Sequence, residues 1–331
     1  MANADAWYIY RGAGGPHDGI AALPAPPPWR KFAEDAPPIA PWVPATAPEA
    51  AAGANYRADP ATVELVNAAI FLRRPMLVTG RPGTGKSTLA TAIAYELKLG
   101  RVLRWNITTK AAVTDGLYQY DPLARLYAAS RRGEEPDDDE DIGRYIRLGP
   151  LGTALLPARK PRVLLIDEID KSDLDLPNDL LTIFESGEFE VPELVRQSDR
   201  RADAEVSTFD GTGRASVRHG RVQCSQFPIV VMTSNEEREF PAAFLRRCIT
   251  VEIDQPDRAK LDEIVAAHLP DLVPGSDELI NQFLQAEDRE ALATDQLLNA
   301  IYLVHAAART GRVSRAELAA KIMKPLVRRS R

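Results

Sequence analysis

Nine consecutive residues, Gly80-Arg81-Pro82-Gly83-Thr84-Gly85-Lys86-Ser87-Thr88, form a loop of the type G-x-x-x-x-G-K-S. Its glycines allow the backbone to turn N–H groups inward around a polyphosphate, with no Cβ in the way. In such a loop Lys86 is the residue that reaches the β- and γ-phosphates, and the Ser87 hydroxyl is a ligand for Mg²⁺. Two adjacent carboxylates, Asp167 and Glu168, follow the apolar run Val163-Leu164-Leu165-Ile166. Asp167 is placed to hold Mg²⁺ through its water shell, and Glu168 to polarise an attacking water as general base. The bland alternative, a solvated turn, is weakened by the phosphate loop that precedes the pair.

Two weaker signals lie further on. Val230-Val231-Met232-Thr233-Ser234-Asn235 ends in an amide able to hydrogen-bond an attacking water or a γ-phosphate, although Asn is also a common turn residue. Phe244-Leu245-Arg246-Arg247-Cys248 carries two arginines with no acid near them in sequence. A guanidinium of this kind, aimed at a neighbouring subunit's phosphate, stabilises charge that spreads in a transition state; the alternative is a pair of surface arginines.

Chemistry of this sort needs elements that bring the groups together. Pro75-Met76-Leu77-Val78-Thr79 before the loop reads as a buried strand, and Leu89, Ile93 and Leu97 after it mark one apolar helix face stopped by Gly100. Strand, loop, helix is the required order, and the helix N-terminus adds a positive field at the phosphates. Strands are predicted over 76–79, 102–105, 163–167, 229–233 and 249–253. Their alternation with helical patterns from 56 to about 255 implies a parallel sheet covered on both faces.

Residues 1–55 differ in composition. Ten of the 26 prolines fall within the first 50 residues, so an extended arm without helix or central strand is expected. Trp7, Tyr8, Ile9, Tyr10, Trp29, Phe32 and Trp42 stud it, either to pack on this protein's own core or to dock on a neighbour. Residues 134–141 hold seven acids in eight positions and read as a solvated loop. Asp210-Gly211-Thr212-Gly213 signals the turn of a β-hairpin within 192–226. From 256 to 331 the apolar pattern becomes helical, with Ser314 and Glu317 as a capping box for a last helix.

Composition sets the outer bounds. Forty-one basic against 47 acidic residues give a net charge of −6, so no global field recruits nucleic acid or anionic lipid. Cys224 and Cys248 read as small buried residues, and the four histidines have no metal-ligand spacing. The first residues lack a basic and an apolar signal region, and no apolar run reaches the length of a membrane span. A cytoplasmic protein is expected, without membrane or nucleic-acid partners.

Taken in this order, the motifs resemble the AAA+ ATPases, and most closely the MoxR branch. Gly80–Thr88 resembles Walker A, Leu164–Glu168 Walker B, Asn235 sensor 1, and Arg246 with Arg247 the arginine finger. Tyr145-Ile146-Arg147-Leu148-Gly149-Pro150-Leu151 resembles the Gly-Pro-Leu stretch of the helix-2 insert in this branch, and 200–224 falls where the family has its pre-sensor-1 hairpin. The resemblance implies an α/β P-loop NTPase core with a five-stranded parallel sheet of order 5-1-4-3-2 and a C-terminal all-α lid. It implies ATP and Mg²⁺ as ligands, and a homo-oligomeric ring, usually of six subunits, with active sites between neighbours. It also implies chaperone-like action on a protein client, often beside a partner bearing a von Willebrand factor A domain. The resemblance alone prefers ATP to GTP. No arginine stands at the usual sensor 2 position, where the sequence reads Ala293-Thr294-Asp295-Gln296-Leu297-Leu298, and no aromatic-hydrophobic-glycine pore loop is present; Tyr118 and Tyr120 read as packing residues. Two other readings are a nucleotide-controlled assembly switch with slow hydrolysis, and a GTP-using restriction-type motor, which the acidic charge disfavours.

Overall fold

The computed structural model of the chain describes residues 7–308 apart from 13–14, 31, 34–35, 133–141, 212, 274 and 287–291. The acidic run at 134–141 and the capping box at Ser314 lie outside the described residues.

Five short strands form a wholly parallel sheet. Across it they stand in the order Ile249–Glu252, Met76–Thr79, Ile229–Thr233, Val163–Asp167, Leu103–Asn106. Two of the strands run one residue off the sequence expectation, Leu103–Asn106 and Ile249–Glu252. The three central strands read as continuous apolar runs because both faces are covered, and Met76 to Val78, Val163 to Ile166 and Val230 to Met232 are at most 1 % exposed. Fully burying a residue of this size contributes about 1.5–3 kcal/mol. The phosphate-loop helix, Lys86–Glu96, packs Leu89 and Ile93 against one face. Leu151, Leu155, Leu176 and Leu180 cover the other.

A second, six-stranded sheet gathers the two insertions into one body. It runs Tyr118–Tyr120, Ile146–Leu148, Asp203–Ser207, Arg214–Arg218, Arg221–Gln223, Glu188–Glu190. Tyr118 and Tyr120 are half-buried and pack on the core beneath. Two residues of the hairpin turn, Phe209 and Asp210, are anchored to the core. Asp210 forms a buried ion pair with Arg162 at 2.8 Å, and Phe209 N–H donates to Thr153 Oγ1 at 2.9 Å. Pairing a buried acid with arginine and further hydrogen bonds is what makes its burial tolerable.

The arm, expected to be free of helix, is helical at Ala47–Asn55 and makes one 3-10 turn at Gly19–Ala22. Thr46 caps this helix reciprocally with Glu49, and Pro48 lies in its first turn, where a missing N–H costs nothing. The remainder of the arm divides. Ile9, Tyr10 and Ile20 join the core, held by buried polar groups: Asn67 accepts from the N–H groups of Ile9 and Tyr10, and Glu96 from those of Arg11 and Gly12. Trp29 and Trp42 remain exposed, at 74 % and 64 %.

The C-terminal helices Arg258–His268, Asp277–Gln285 and Thr294–Ala308 have an apolar core of their own around Leu261, Ile280, Phe283 and Leu297. Cys224 and Cys248 are free thiols that burial pushes up to about 12, which leaves them inert. Among the described residues no helix is long and apolar enough to cross a membrane.

Candidate nucleotide site

The loop glycines adopt the backbone that a phosphate cradle requires. Gly80, Gly83 and Gly85 have φ of +138°, +76° and +90°, a region that side chains disfavour. At Gly80 an added Cβ would lie 2.3 Å from the Ile253 carbonyl, and at Gly83 it would lie 2.2 Å from Ala293 Cβ. Gly85 then ends the loop as the N-cap of helix Lys86–Glu96, whose first N–H groups face the loop. Arg81, Pro82, Thr84 and Thr88 complete the turn, Thr84 Oγ1 donating to the Arg81 carbonyl and Thr88 N–H to that of Gly85.

Two strand ends meet the loop through two sets of hydrogen bonds. Asp167, at the end of Val163–Asp167, accepts at Oδ1 from the Ser87 hydroxyl and from the Thr233 hydroxyl, each at 2.6 Å. Thr233 also accepts the Glu168 N–H at 2.9 Å, which fixes the backbone just where the strand turns away. Glu168 itself has φ of 60°, a left-handed conformation in a residue other than glycine, as is frequent at functional sites. Lys86 is 7 % exposed, and its Nζ donates to the carbonyls of Gly80 and Arg81 and, at 2.8 Å, to Asn235 Oδ1. Burial lowers its proton affinity, against the opposing pull of Asp170, Asp167, Glu236 and Glu168. The Glu168 carboxylate is held by Lys171 at 2.6 Å in an exposed pair, worth at most about 1 kcal/mol and so readily exchanged for another partner.

The arginines differ from each other. Arg247 Nε is paired with Glu185, from helix Asp175–Ser186, and its Nη1 donates to the Ala243 carbonyl at 3.2 Å. The expectation of two arginines with no acid nearby fails for Arg247, because the fold supplies one from 62 positions away. Arg246 is exposed beside it.

A cavity of about 750 Å³ opens beside the loop between Tyr56, Asp59, Gly83, Asp257, Lys260 and Asp295. Its volume suits a nucleoside-sized ligand. Apart from Gly83, the strand–loop–helix motif gave no sign of these lining residues, which come from the arm's junction with the core and from the segment that follows the last strand of the parallel sheet. Two further residues were also missed. Thr233 could have been noticed as a hydroxyl closing an apolar strand; Asp170 carried no sequence signal beyond its nearness to Glu168.

Residues 75–248 match the model of the AAA domain family, dynein-related subfamily, over more than half of the chain. The protein belongs to the AAA family. This membership accounts for the P-loop α/β core, and ATP-driven remodelling is the family's general work. No curated protein sequence matches the chain. Among solved structures, the AAA domain of FIGL-1 in complex with ADP is similar at 15 % identity over 78 % of this chain and 74 % of that one, with a TM-score of 0.38. A RuvB point mutant from Thermotoga maritima is similar at 15 % identity over 78 % and 65 %, with a TM-score of 0.41. Likeness at this level is one of fold alone.

Proposed function

We propose that this AAA protein hydrolyses ATP at sites completed between neighbouring subunits of a ring, and uses the cycle to remodel or activate a protein client. The observation that carries the reading is the joining of Ser87, Asp167 and Thr233, and of Lys86 and Asn235, by contacts of 2.6–2.8 Å. Three separate chain segments hold a cation, a carboxylate, hydroxyls and an amide at the mouth of a phosphate loop, which is the equipment of phosphoryl transfer.

In this reading the loop N–H groups and Lys86 hold the triphosphate, and Lys86 exchanges its carbonyl partners for phosphate oxygens. Ser87 and Asp167 would hold Mg²⁺, which when bound neutralises phosphate charge. One hydroxyl and one carboxylate make a sparse ligand set, suited to an ion that keeps waters and takes substrate phosphates. Glu168 leaves Lys171 and accepts the proton of the attacking water, while Asn235 orients that water or the γ-phosphate. Arg246 reaches the neighbour's phosphate; Arg247, tied to Glu185, fixes the loop that presents it.

The C-terminal helices act as a lid. A lid without a sensor 2 arginine still needs a route to the phosphates, and Thr294 N–H to the Gly83 carbonyl at 3.4 Å, with Ala293 against Gly83, offers one through backbone. The MoxR branch, a von Willebrand factor A partner and a cytoplasmic setting belong to the same proposal; two free buried thiols fit the last of these. With Asp210 of the hairpin paired to Arg162, the second sheet conveys motion to the client as one body.

The test is Glu168→Gln. It should bind ATP and assemble like the wild type, with turnover lower by about 10²–10⁴-fold. Undiminished turnover would remove Glu168 from the mechanism.

A further inference from the structure

We infer that Asp170 is a positioning residue for hydrolysis, holding the Asn235 loop and the Lys86 ammonium in register; this rests on the hydrolase reading above. Asp170 lies in the short turn Ile169–Lys171 created by the left-handed Glu168, and is 3 % exposed. Its Oδ2 accepts the Asn235 N–H at 2.8 Å and the Glu237 N–H at 3.2 Å. Both amides can point at one oxygen because Glu236 between them has φ of 61°, with its own N–H turned to Ser234 Oγ at 2.9 Å. This is an anion nest closed on a side chain of the protein itself. The Asn235 amide, fixed from behind in this way, accepts Lys86 Nζ at 2.8 Å. One carboxylate thereby sets the position of the residue that touches the reacting phosphate.

Asp170 Oδ1 is buried with no hydrogen-bond partner among the described residues, so the hydrogen bonds of this carboxylate go to the two loop amides. The neighbouring acids are engaged elsewhere: Asp167 accepts from Ser87 and Thr233, and Glu168 pairs with Lys171. Asp170 is the acid that ties the Asn235 loop to the turn after Val163–Asp167.

The experiment compares wild type, Asp170→Ala and Asp170→Asn. Three quantities are read: ADP affinity, single-turnover ATP hydrolysis, and exchange of the Asn235 and Glu237 amide hydrogens. The alanine variant should exchange both amides faster and hydrolyse about 10–100-fold more slowly, with ADP affinity within about threefold of wild type. The asparagine variant, whose side-chain oxygen can accept the same two N–H groups, should recover amide protection and most of the rate. A role in folding alone would lower ADP affinity along with turnover. Unchanged exchange in the alanine variant, or restored protection in the asparagine variant with no recovery of rate, would overturn the inference even in an active enzyme. A wild type that neither bound nor hydrolysed nucleotide would instead end the hydrolase reading, and amide exchange would still decide whether Asp170 holds the loop.

Discussion

The strand ends and the arginine edge of this AAA protein are built on opposite plans. At the strand ends Lys86, Ser87, Asp167, Thr233 and Asn235 are already bonded to one another within a single chain. At the edge, Arg246 is exposed, and Arg247 is tied down by Glu185 in a partly exposed pair and by the Ala243 carbonyl. Pre-formed groups suit the task of gripping a ligand, since little ordering entropy remains to be lost. An exposed guanidinium beside a fixed one suits a surface that awaits another copy. The difference teaches that affinity for nucleotide and the rate of hydrolysis should be separable in this molecule.

Arg246→Ala tests that separation most severely. Turnover should fall by about 10³-fold while the isolated chain binds ATP as before, because in the proposed mechanism the residue acts on another subunit's phosphate. Equal losses of binding and turnover would show Arg246 serving its own chain's site. Next comes the contrast between buried and exposed pairs. Asp210→Ala strands Arg162 in the interior and should cost about 3–5 kcal/mol in denaturant unfolding. Glu185→Ala should cost under about 1 kcal/mol, yet slow turnover by loosening the arginine loop. Thr233→Val removes the hydroxyl that serves both Asp167 and Glu168, and a fall in turnover of about 10–100-fold with a modest change in affinity is expected.

The smallest effect concerns pH. Burial, with Arg57 nearby, lowers the proton affinity of His268 in the folded state below its ordinary value of 6.5. The unfolded chain then binds the proton more readily, so stability is complete above pH 6.5 and declines as pH falls through the folded value. His268→Gln should flatten this part of the stability–pH curve; an unchanged slope would assign it to other groups.

How much of this was legible in sequence depended on whether a group's position follows from its neighbours along the chain. The phosphate loop and the carboxylates at the end of Val163–Asp167 are local: strand, turn and helix place them. Burial on both sheet faces wrote the strands as apolar runs, and so they could be found. Arg247 could not be read correctly, because its partner Glu185 is brought to it by packing between distant elements. The same holds for Asp170, whose role depends on a loop 65 residues away. The helix Ala47–Asn55 was hidden by the proline-rich composition around it, although Thr46 and Glu49 spelled a capping box. The cavity beside Tyr56 was beyond reach because its walls come from four separate parts of the chain.

The account turns on a site shared between two chains, and mixing two inactive proteins tests it most directly. Glu168→Gln keeps its arginines but lacks the base; Arg246→Ala/Arg247→Ala keeps the base but lacks the arginines. In mixed assemblies some sites receive the base from one chain and the guanidinium from the other, so ATP turnover should rise well above that of either protein alone. Turnover that merely equalled the average of the two would contradict a shared site.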